Sequence, residues 1–458
     1  MDWVPTISEW SGPAFKRIVD ALAADIAGGR LKRGQQLPTH RALAQALRLD
    51  LTTVTRAYGE ARRRGLIEAQ VGRGTFVSET TLRAHSDIPQ AIKIDFSMNV
   101  PPQPLEANLD LHIVQALGAL RDEAGLSSFL NYQQPGGNDD EREVAAHWLR
   151  RRISAVRPER VVVYPGNQAI LFNALLSRCA PGDFVLTEAL TFPGMKAAAK
   201  RLGLRLVGVA MDTEGVLPDA LKSACREYKP KAVYLTPTLH NPTTATMSQK
   251  RRAAVADIIQ ASKTLLIEDD AYGWLNPTAS PIANLIPERT YLAVGLSKCI
   301  APALRVSYLH APDEHSARDM SESLGATMLM GAPLMVALVT HWIKTGVADD
   351  IIRAIRDEAA GRQRLAGKFL KAVPHAAGPH GHHLWIPLLQ RRNPTGFVGE
   401  ILRRGLAVVG DDVFAVDASA QPGVRVCLGA PRTRDELAQG LQLLAESFAS
   451  PNRAASIV

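Results

Sequence analysis

Residues 291–305 read YLAVGLSKCIAPALR, a short apolar segment that is followed by Lys298 and, seven positions later, by Arg305. Four more short apolar segments precede it and alternate with segments of helical periodicity: Val161–Tyr164, Phe184–Thr187, Ala232–Thr236 and Leu265–Ile267. This alternation is typical of an α/β fold with a mostly parallel sheet. We therefore predict an α/β domain over residues 94–450, with a small α+β subdomain in its C-terminal part.

Lys298 follows the apolar strand and Ser297, and its possible chemistry depends on its charge. A lysine that forms an imine must be partly unprotonated, which requires a desolvated or cationic environment. Arg305 would supply that charge and would bind an anionic group of a cofactor at the same time. A lone Ser-Lys pair is more often structural, so the interpretation depends on the segments upstream.

Polar side chains follow two of the predicted strands. In IEDDAY, residues 267–272, Asp269 would pair with a pyridine nitrogen and keep it protonated, and Tyr272 lies three residues later. The segment TPTLHNPTT, residues 236–244, places Asn241 in a turn after another strand. Asn241 and Tyr272 would both bond a phenolic oxygen beside an imine.

A phosphate site and an aromatic platform are predicted further upstream. VVVYPGNQAILFNAL, residues 161–175, predicts a strand, a tight turn and a helix, and the first backbone N–H groups of the helix lie near Gly166, Asn167 and Gln168. Such a helix N-terminus suits a phosphate. In TEALTFPG, Phe192 offers a flat face on which an aromatic ring can stack.

In this order the segments resemble the fold-type-I aminotransferase family, and the cofactor that this implies is pyridoxal 5′-phosphate (PLP). The resemblance covers about residues 94–448. It implies that Lys298 is the internal-aldimine lysine, that Asp269 pairs with the pyridine nitrogen and that Phe192 stacks on the ring. By the same resemblance, Asn241 and Tyr272 bond the O3′ atom.

The remaining site residues also follow from this resemblance. It implies that Ser297 and Arg305 hold the phosphate, and that Tyr132, in NYQQPGG, reaches the phosphate of a partner subunit across a dimer. Arg425, in GVRVCLGA, matches the arginine that holds a substrate carboxylate; a charge at a strand edge is the alternative for it. This chain departs from the family pattern at Gly295, where Ser or Thr is usual, and in having Phe rather than Tyr at the stacking position. We expect PLP to bind with one phosphate hydrogen bond fewer.

Residues 13–77 have a different pattern, in which three helical segments are followed by two short apolar segments around a turn. Thr39 and Asp50 are candidate N-caps of the second and third helices. The stretch LIEAQVGRGTFV predicts a β-hairpin, because two apolar segments flank a glycine-containing turn. We therefore predict a winged helix-turn-helix domain of the α+β class over residues 1–78 and a linker over residues 79–93.

The second helix of a helix-turn-helix lies in the major groove of DNA, and its early residues reach base edges. Here those residues include Thr52, Thr53 and Arg56. Arg41, early in the preceding helix, is placed to bind a phosphate. Arg73, at the hairpin tip between two glycines, is placed to contact the minor groove or the backbone of the DNA.

The stretch LPTHRALAQALRLDLTTVTRAYGEARRRGLIEAQVGRGTFV, residues 37–77, resembles the GntR-type winged-helix DNA-binding domain. The resemblance implies double-stranded DNA as a partner. Two positions depart from the family pattern: Leu51 stands where Arg is usual after the cap of the recognition helix, and Arg48 stands where Gly is usual in the turn. We expect Thr52 and Arg56 to carry the base readout.

Composition limits the class of protein. The 458 residues are 46% hydrophobic and 21% charged, which are ordinary globular values and exclude a disordered, collagen-like or disulfide-rich chain. The net charge of +8 agrees with a polyanionic partner. The four cysteines lie far apart without a CxxC pair, so we predict no metal site, and we expect a cytoplasmic protein without a signal peptide or membrane segment.

Together, the two halves resemble the MocR group of bacterial transcription regulators. That resemblance implies that the PLP domain serves as a sensor and as a dimerisation domain, in a head-to-tail homodimer. We hypothesise that the effector is PLP itself or an amino compound, which acts through an imine at Lys298. Two alternatives stay open: a working PLP-dependent aminotransferase that carries a DNA-binding head, and a DNA-binding scaffold with a degenerate body.

Four histidines lie in two further polar segments. His240 precedes Asn241 and lies either near the ring or in a loop without function. His380, His382 and His383 cluster in GPHGHHLWIPL, but no carboxylate or cysteine accompanies them. For this cluster we predict a loop that enters a strand rather than a metal site.

Overall fold

The computed structural model describes residues 3–6, 13–27, 30–31, 34–63, 66–70, 74–77, 93–388, 394–417 and 420–449. The chain divides into two compact units, Met1–Ala91 and Ile92–Val458. Residues 79–92 of the expected linker lie outside the described residues, and so does Arg73. The boundaries at residues 78 and 93 therefore stay predictions.

The first unit consists of three helices followed by a two-stranded antiparallel hairpin, as the sequence predicts. Its elements are α1 (Ala14–Ala27), α2 (His40–Leu47), α3 (Leu51–Arg63), β1 (Ile67–Gln70) and β2 (Gly74–Val77). Ile67 pairs with Val77 and Gln70 with Gly74. The core forms because Ile18, Leu22, Leu43 and Val54, from all three helices, are buried together.

The turn between α2 and α3 determines how the third helix is presented. The Thr39 hydroxyl accepts a hydrogen bond from the Ala42 N–H at the start of α2, and Asp50 Oδ1 accepts one from the Thr52 N–H at 2.7 Å. Both predicted caps are therefore confirmed. Arg48 ends α2 in the left-handed conformation, with φ at 50°, where glycine would be unstrained.

The second unit contains helices and strands over most of its length. Its helices are α4 (Leu109–Ala124), α5 (Asp139–Leu149), α6 (Asn167–Arg178), α7 (Pro193–Arg201), α8 (Pro218–Tyr228), α9 (Gln249–Ser262), α10 (Glu314–Met328), α11 (Pro333–Thr345), α12 (Val347–Phe369), α13 (Pro394–Arg403) and α14 (Arg434–Ala449). Its strands are β3 (Ile94–Asp95), β4 (Val161–Tyr164), β5 (Phe184–Glu188), β6 (Arg205–Val209), β7 (Met211–Asp212), β8 (Gly215–Val216), β9 (Ala232–Leu235), β10 (Leu265–Asp269), β11 (Thr290–Gly295), β12 (Ser307–His310), β13 (Ala376–Ala377), β14 (His383–Pro387), β15 (Leu406–Ala407), β16 (Val409–Gly410) and β17 (Gly423–Cys427).

Within the described residues, a seven-stranded sheet in the order β4-β12-β11-β10-β9-β5-β6 forms the centre of the second unit. Neighbouring strands are parallel except at β12, which is antiparallel to both β11 and β4. All five predicted strands are present in this sheet, while β6 and β12 were not predicted. Since the parallel strands share one direction, the carboxyl ends of β4, β5, β9, β10 and β11 lie at one edge, where ligands bind in open α/β sheets.

A four-stranded sheet, β13-β14-β17-β16, forms the smaller C-terminal part among the described residues. Its core includes Leu384, Val424 and Val426 together with Phe96, which follows β3. β3 pairs in parallel with β15, so the first described segment after the linker belongs to this part of the fold. The predicted α+β subdomain is confirmed, and it includes residues from both ends of the α/β domain.

A buried ion pair connects the segment after α5 with the loop after β10. Arg152 donates to both carboxylate oxygens of Asp270, with Nη2 to Oδ2 at 2.8 Å, and the two side chains are 1% and 0% exposed. Removal of one partner of a buried pair leaves a buried charge without compensation and strongly lowers the free energy of unfolding. An exposed ion pair contributes little to that free energy. Arg151 supplies the comparison, because it pairs with Asp349 at the surface.

We predict that Arg152→Leu lowers the free energy of unfolding by about 3–5 kcal/mol, because Asp270 loses its partner. Arg151→Leu should lower it by no more than about 1 kcal/mol. Urea denaturation of both variants beside the wild type measures the difference. Equal losses in the two variants would contradict the role given to the buried pair.

Candidate functional site

The predicted residues meet at the carboxyl edge of the central sheet. Asp269 ends β10, and Gly166 and Asn167 follow β4 at the start of α6. Asn167 Nδ2 donates to Asp269 Oδ1 at 2.7 Å and to the Ala293 carbonyl at 3.2 Å. The side chain of Asn167 therefore orients the carboxylate that was predicted to face a pyridine nitrogen, a role that the sequence did not indicate.

Asp269 is held as a hydrogen-bond acceptor from three sides. Besides Asn167, the Tyr234 hydroxyl donates to Oδ2 at 2.8 Å and the Ala271 N–H donates to Oδ1 at 3.2 Å. Burial raises the pKa of Asp269, and these three donors oppose that rise because they stabilise the charged form. Tyr234 lies on β9, inside an apolar strand, so no polar pattern in the sequence marked it.

Gly166 brings the backbone close to Arg305. A Cβ atom at Gly166 would lie 2.7 Å from Arg305 Nη2, and φ of Gly166 is +104°, so glycine is required there. Arg305 itself lies in the left-handed region with φ at 51° and is exposed. The backbone N–H groups at the start of α6 and this guanidinium are therefore adjacent, an arrangement that suits an anion and is here called the corner at Gly166 and Arg305.

Gln168 and Phe192 both approach Gly194, at the start of α7. Gln168 Nε2 donates to the Gly194 carbonyl at 3.1 Å. A Cβ atom at Gly194 would lie 2.0 Å from Gln168 Oε1 and 2.3 Å from Phe192 Cε1. The predicted stacking ring is thus half-buried beside the predicted phosphate turn.

Lys298 lies half-buried in a loop after β11. Its Nζ donates to the Asn99 carbonyl at 2.5 Å. Burial lowers the pKa of Lys298 to about 8. At pH 7 about one tenth of an amine with this pKa is unprotonated, against well under one in a thousand for an exposed lysine. The unprotonated form is the one that attacks a carbonyl carbon. Ser297 precedes it in the same loop, and its role stays a prediction.

Arg425 and Asn241 contact each other directly. Arg425 Nη1 donates to Asn241 Oδ1 at 2.8 Å, and Nη2 donates to the Ser97 carbonyl at 2.8 Å. Arg425 is 8% exposed, so the alternative of a charge at an exposed strand edge is wrong. Phe414 lies under the guanidinium, with 4.9 Å between its ring centroid and Cζ.

Asn99 is a site residue that the sequence analysis missed. Its Nδ2 donates to the Tyr272 hydroxyl at 2.8 Å, and its carbonyl accepts from Lys298. Asn99 is 9% exposed. It lies 173 positions before Tyr272 in the chain, so this contact depends on the fold. It precedes every strand of the central sheet, so the strand-end signal that located the other residues was not available.

The histidine cluster enters β14, as predicted, but it borders the site. His382 Nε2 donates to the Lys298 carbonyl at 2.6 Å, and the centroid of the His383 ring lies 5.6 Å from that of the Tyr272 ring. Burial lowers the pKa of His382 to about 4 and of His383 to about 3, so both are neutral near pH 7. In the described part of the chain, no group of three His, Cys, Asp or Glu residues could hold a metal ion.

His240 is buried beside an acid. Its Nδ1 is 2.8 Å from the Thr243 hydroxyl, and its Nε2 is 4.0 Å from Glu188 Oε2. Burial lowers the pKa of His240 to about 3 and raises that of Glu188 to about 7. His240 is thus a neutral loop histidine with a hydrogen-bond partner, and the carbonyl of this residue is 3.1 Å from His383 Nε2.

Tyr132 is apart from the residues above. It is 83% exposed, and Leu130 beside it is 78% exposed. The role predicted for it, toward a partner subunit, stays a prediction.

In the first unit, most of the predicted DNA-binding side chains face outward. Arg41, Thr52 and Arg56 are exposed, and Thr53 is half-buried. The Thr52 hydroxyl donates to Asp50 Oδ1 at 2.5 Å, which leaves its oxygen free to accept. The Arg56 guanidinium lies 4.1 Å from the centroid of the Phe15 ring.

Comparison with family models agrees with both units. Residues 91–444 match the model for aminotransferase class I and II, and residues 15–77 match the model for bacterial regulatory proteins of the gntR family. The chain belongs to the class I and II aminotransferase family. The additional gntR domain gives it the MocR-type architecture that the sequence predicted, and this domain implies DNA binding by the first unit.

Relatives of nearly full length share this architecture. An uncharacterized HTH-type transcriptional regulator of Bacillus subtilis, YdeF, is 28% identical over 449 residues, which cover 97% of this chain and 96% of the relative. The vitamin B6 salvage pathway transcriptional repressor PtsJ of Salmonella typhimurium is 25% identical over 426 residues, which cover 91% of this chain and 94% of the relative. Aminotransferase names also occur among the relatives, over shorter spans.

Solved structures confirm the fold of the second unit. LysN, an α-aminoadipate aminotransferase of Thermus thermophilus, aligns with a TM-score of 0.71 at 22% identity and covers 86% of this chain and 98% of its own. A kynurenine aminotransferase of Pyrococcus horikoshii aligns with a TM-score of 0.73 at 21% identity, and the alignment covers 80% of this chain and 93% of the aminotransferase. Proteins of this fold depend in general on PLP. Among the described residues, no helix is long and apolar enough to cross a membrane.

The donor set at the sheet edge fits PLP. Four buried polar atoms without a hydrogen-bond partner among the described residues belong to this part of the fold: Asn99 Oδ1, Asn167 Oδ1, Ser307 Oγ and Arg425 Nε. Buried polar atoms are normally paired, so these atoms indicate a place for a polar ligand. The carboxylate of Asp269 suits a ring nitrogen, the corner at Gly166 and Arg305 suits a phosphate, and the amine of Lys298 suits an aldehyde.

We predict that Lys298 reacts with small aldehydes at lower pH than surface lysines do. Its amine loses its proton as the pH rises through about 8, whereas an exposed lysine does so near pH 10.4. Reductive methylation with formaldehyde and cyanoborohydride, followed by peptide mass spectrometry between pH 6 and 10, gives the rate at Lys298 beside the exposed lysines of the same digest. A rate profile for Lys298 that coincides with theirs would contradict a buried, partly neutral amine.

Proposed function

We propose that this chain is a DNA-binding transcriptional regulator whose aminotransferase-like body senses PLP or an amino compound through Lys298. The observation that carries the proposal is that two features occur in one chain. A helix-turn-helix presents Arg41, Thr52 and Arg56 outward, and a body holds a partly neutral Lys298 beside Asp269 and Arg425. Near-full-length relatives named as transcriptional regulators support the regulator over a primarily metabolic aminotransferase.

In the body, the residues would hold the cofactor as follows. Asp269, oriented by Asn167 and Tyr234, would keep a proton on the ring nitrogen. Asn241 and Tyr272 would bind O3′, while Phe192 would stack on the ring. The phosphate would lie against the N–H groups of α6, with Gly166, Gln168, Ser297 and Arg305 around it. When bound, PLP supplies an electrophilic aldehyde carbon and an electron-withdrawing ring.

Effector chemistry would be read by two basic side chains. Lys298 Nζ, in its neutral form, offers an electron pair to a carbonyl carbon, and Arg425 offers a planar fork to a carboxylate. Arg425 already binds Asn241, so a carboxylate bound there also positions the amide that is proposed to hold O3′. Lys298 would therefore select an aldehyde such as that of PLP. An amino compound would be selected through the aldehyde carbon that bound PLP supplies, and Arg425 would add a preference for a carboxylate.

The DNA-binding unit would read an operator mainly through α3. Thr52, Thr53 and Arg56 would face base edges, Arg41 would bind a phosphate, and Arg73 would extend the contact from the hairpin. A homodimer would present two such units. The exposed apolar side chains of Leu105 (90%), Leu130 (78%) and Tyr132 support an interface on the body, and the head-to-tail arrangement belongs to the proposal. We place the protein in the cytoplasm, where operator DNA is found.

The test is fluorescence anisotropy with the DNA upstream of the chain's own gene, with and without PLP. We expect PLP, alone or with an amino acid, to change the DNA affinity on the order of 5–150-fold, which is the usual range of allosteric coupling. Lys298→Ala should abolish the change, whereas Lys200→Ala, an exposed lysine on α7, should leave it as in the wild type. DNA affinity that never responds to PLP or to any amine would contradict the proposal.

Two further variants check that the assay measures operator binding. Arg41→Ala should weaken binding to all sequences and reduce the salt dependence by about one counterion. Arg30→Ala is the matched control, because Arg30 is already paired with Asp25. Steady-state turnover of an amino acid with a 2-oxo acid at metabolic rates would instead favour the aminotransferase alternative.

A further inference from the structure

A short loop of the second unit, residues 97–101, is hydrogen-bonded to residues of the candidate site and is here called the site loop. It follows β3, which is fixed to β15 by hydrogen bonds from the N–H groups of Ile94 and Phe96 to the carbonyls of Gly405 and Ala407, at 3.1 and 2.8 Å. In the sequence, β3 is preceded by the predicted linker and, before that, by the hairpin of the DNA-binding unit. The site loop is therefore the first part of the body's candidate site that the chain reaches after the DNA-binding unit.

Three residues of the candidate site donate to or accept from the site loop. Lys298 Nζ donates to the Asn99 carbonyl at 2.5 Å, and Arg425 Nη2 donates to the Ser97 carbonyl at 2.8 Å. Asn99 Nδ2 donates to the Tyr272 hydroxyl at 2.8 Å. The same three side chains are those that the proposed function assigns to the aldehyde, the carboxylate and the O3′ atom.

The site loop has little room to adjust gradually. A Cβ atom at Gly429, which follows β17, would lie 1.8 Å from the Val100 carbonyl oxygen, so the two backbones are in direct contact. Asn99 is 9% exposed, and Ser97 is held by hydrogen bonds from its N–H and hydroxyl to Asp95 Oδ1, at 2.7 and 2.6 Å. A tightly packed segment tends to have discrete arrangements rather than a continuous range.

Covalent capture of Lys298 removes one of the three contacts. The neutral amine adds to an aldehyde carbon, a carbon–nitrogen double bond forms, and both amine hydrogens leave with the aldehyde oxygen as water. The nitrogen then keeps at most one hydrogen, gained from solvent, and cannot rotate it freely toward the Asn99 carbonyl. The carbonyl loses its donor, and the bond from Asn99 Nδ2 to Tyr272 remains as the link between the site loop and the site floor.

We propose that Asn99 is a positioning residue that couples the chemical state of Lys298 to β3 and to the chain that leads toward the DNA-binding unit. With the free amine, Asn99 is held through both its carbonyl and its side chain; after capture, the site loop is released from Lys298. This inference rests on the proposed function for its ligand. Its first test, however, needs neither DNA nor PLP.

The test is hydrogen–deuterium exchange of the full-length protein, followed by mass spectrometry of peptides that cover residues 94–101. Without PLP, Asn99→Ala and Tyr272→Phe should each speed exchange there at least twofold, and the double variant should be no faster than either single variant, because both remove the same bond. Asn284→Ala is the matched control: Asn284 also donates from its side chain, to the Arg152 carbonyl at 3.0 Å, but far along the chain from the site loop. It should leave the exchange of residues 94–101 unchanged.

PLP is then added to the wild type, and covalent capture is verified in the same sample by absorbance and by mass after borohydride treatment. We expect faster exchange at residues 94–101 after capture and no change at β4. In Asn99→Ala, capture should still occur, but the change in DNA affinity caused by PLP should fall at least threefold. Unfolding transitions of all variants show whether the fold is retained.

Failure of this inference is distinguishable from failure of the proposed function. If capture occurs but exchange at residues 94–101 stays constant, or if Asn99→Ala keeps the full DNA response, the role of Asn99 is wrong while the regulator stands. If no capture occurs, the proposed function fails first. Additive effects of Asn99→Ala and Tyr272→Phe without PLP would also overturn the inference.

Discussion

The hydrogen bond from Lys298 Nζ to the Asn99 carbonyl is the contact on which the account depends. It exists because the loop after β11 brings Lys298 against the site loop, where burial lowers the pKa of the amine to about 8. A fully charged, solvated lysine would be a poor nucleophile, and an amine without a partner would leave a buried donor unpaired. The same contact therefore keeps the amine ready to react and ties it to the part of the chain that comes from the DNA-binding unit.

The rest of the site follows from the direction of the strands. Six of the seven strands of the central sheet run in one direction and end at the same edge, so residues that are far apart in sequence are brought within hydrogen-bond distance, as Asn167 and Asp269 are across 102 positions. The small subdomain contributes Arg425 on β17, which donates to Asn241 and to the Ser97 carbonyl. Since β3 pairs with β15 of that same subdomain, a change in the subdomain and a change in the linker-side segment are mechanically connected.

Sequence reasoning predicted the elements that have local signals. The caps Thr39 and Asp50, the five apolar strands and the turn before α6 all depend on neighbouring residues, and all are present. Asn99 and Tyr234 were missed because their roles arise from long-range packing: Tyr234 is one apolar-strand residue among others, and Asn99 lies in a loop without periodicity. Asn167 was assigned to a phosphate through its backbone, whereas its side chain binds Asp269. Gly295 leaves room for this side-chain contact. A Cβ atom at Gly295 would lie 2.4 Å from Asn167 Oδ1, so a larger residue would displace the Asn167 amide.

The central claim is that the ε-amine of Lys298 forms a covalent bond with PLP. Incubation with PLP, reduction with borohydride, proteolysis and mass spectrometry test it most directly. The account predicts one pyridoxyl group per chain, on the peptide that contains Lys298, and its absence from that peptide when Lys298 is replaced by alanine. A modification spread over surface lysines, with Lys298 unlabelled, would contradict the account.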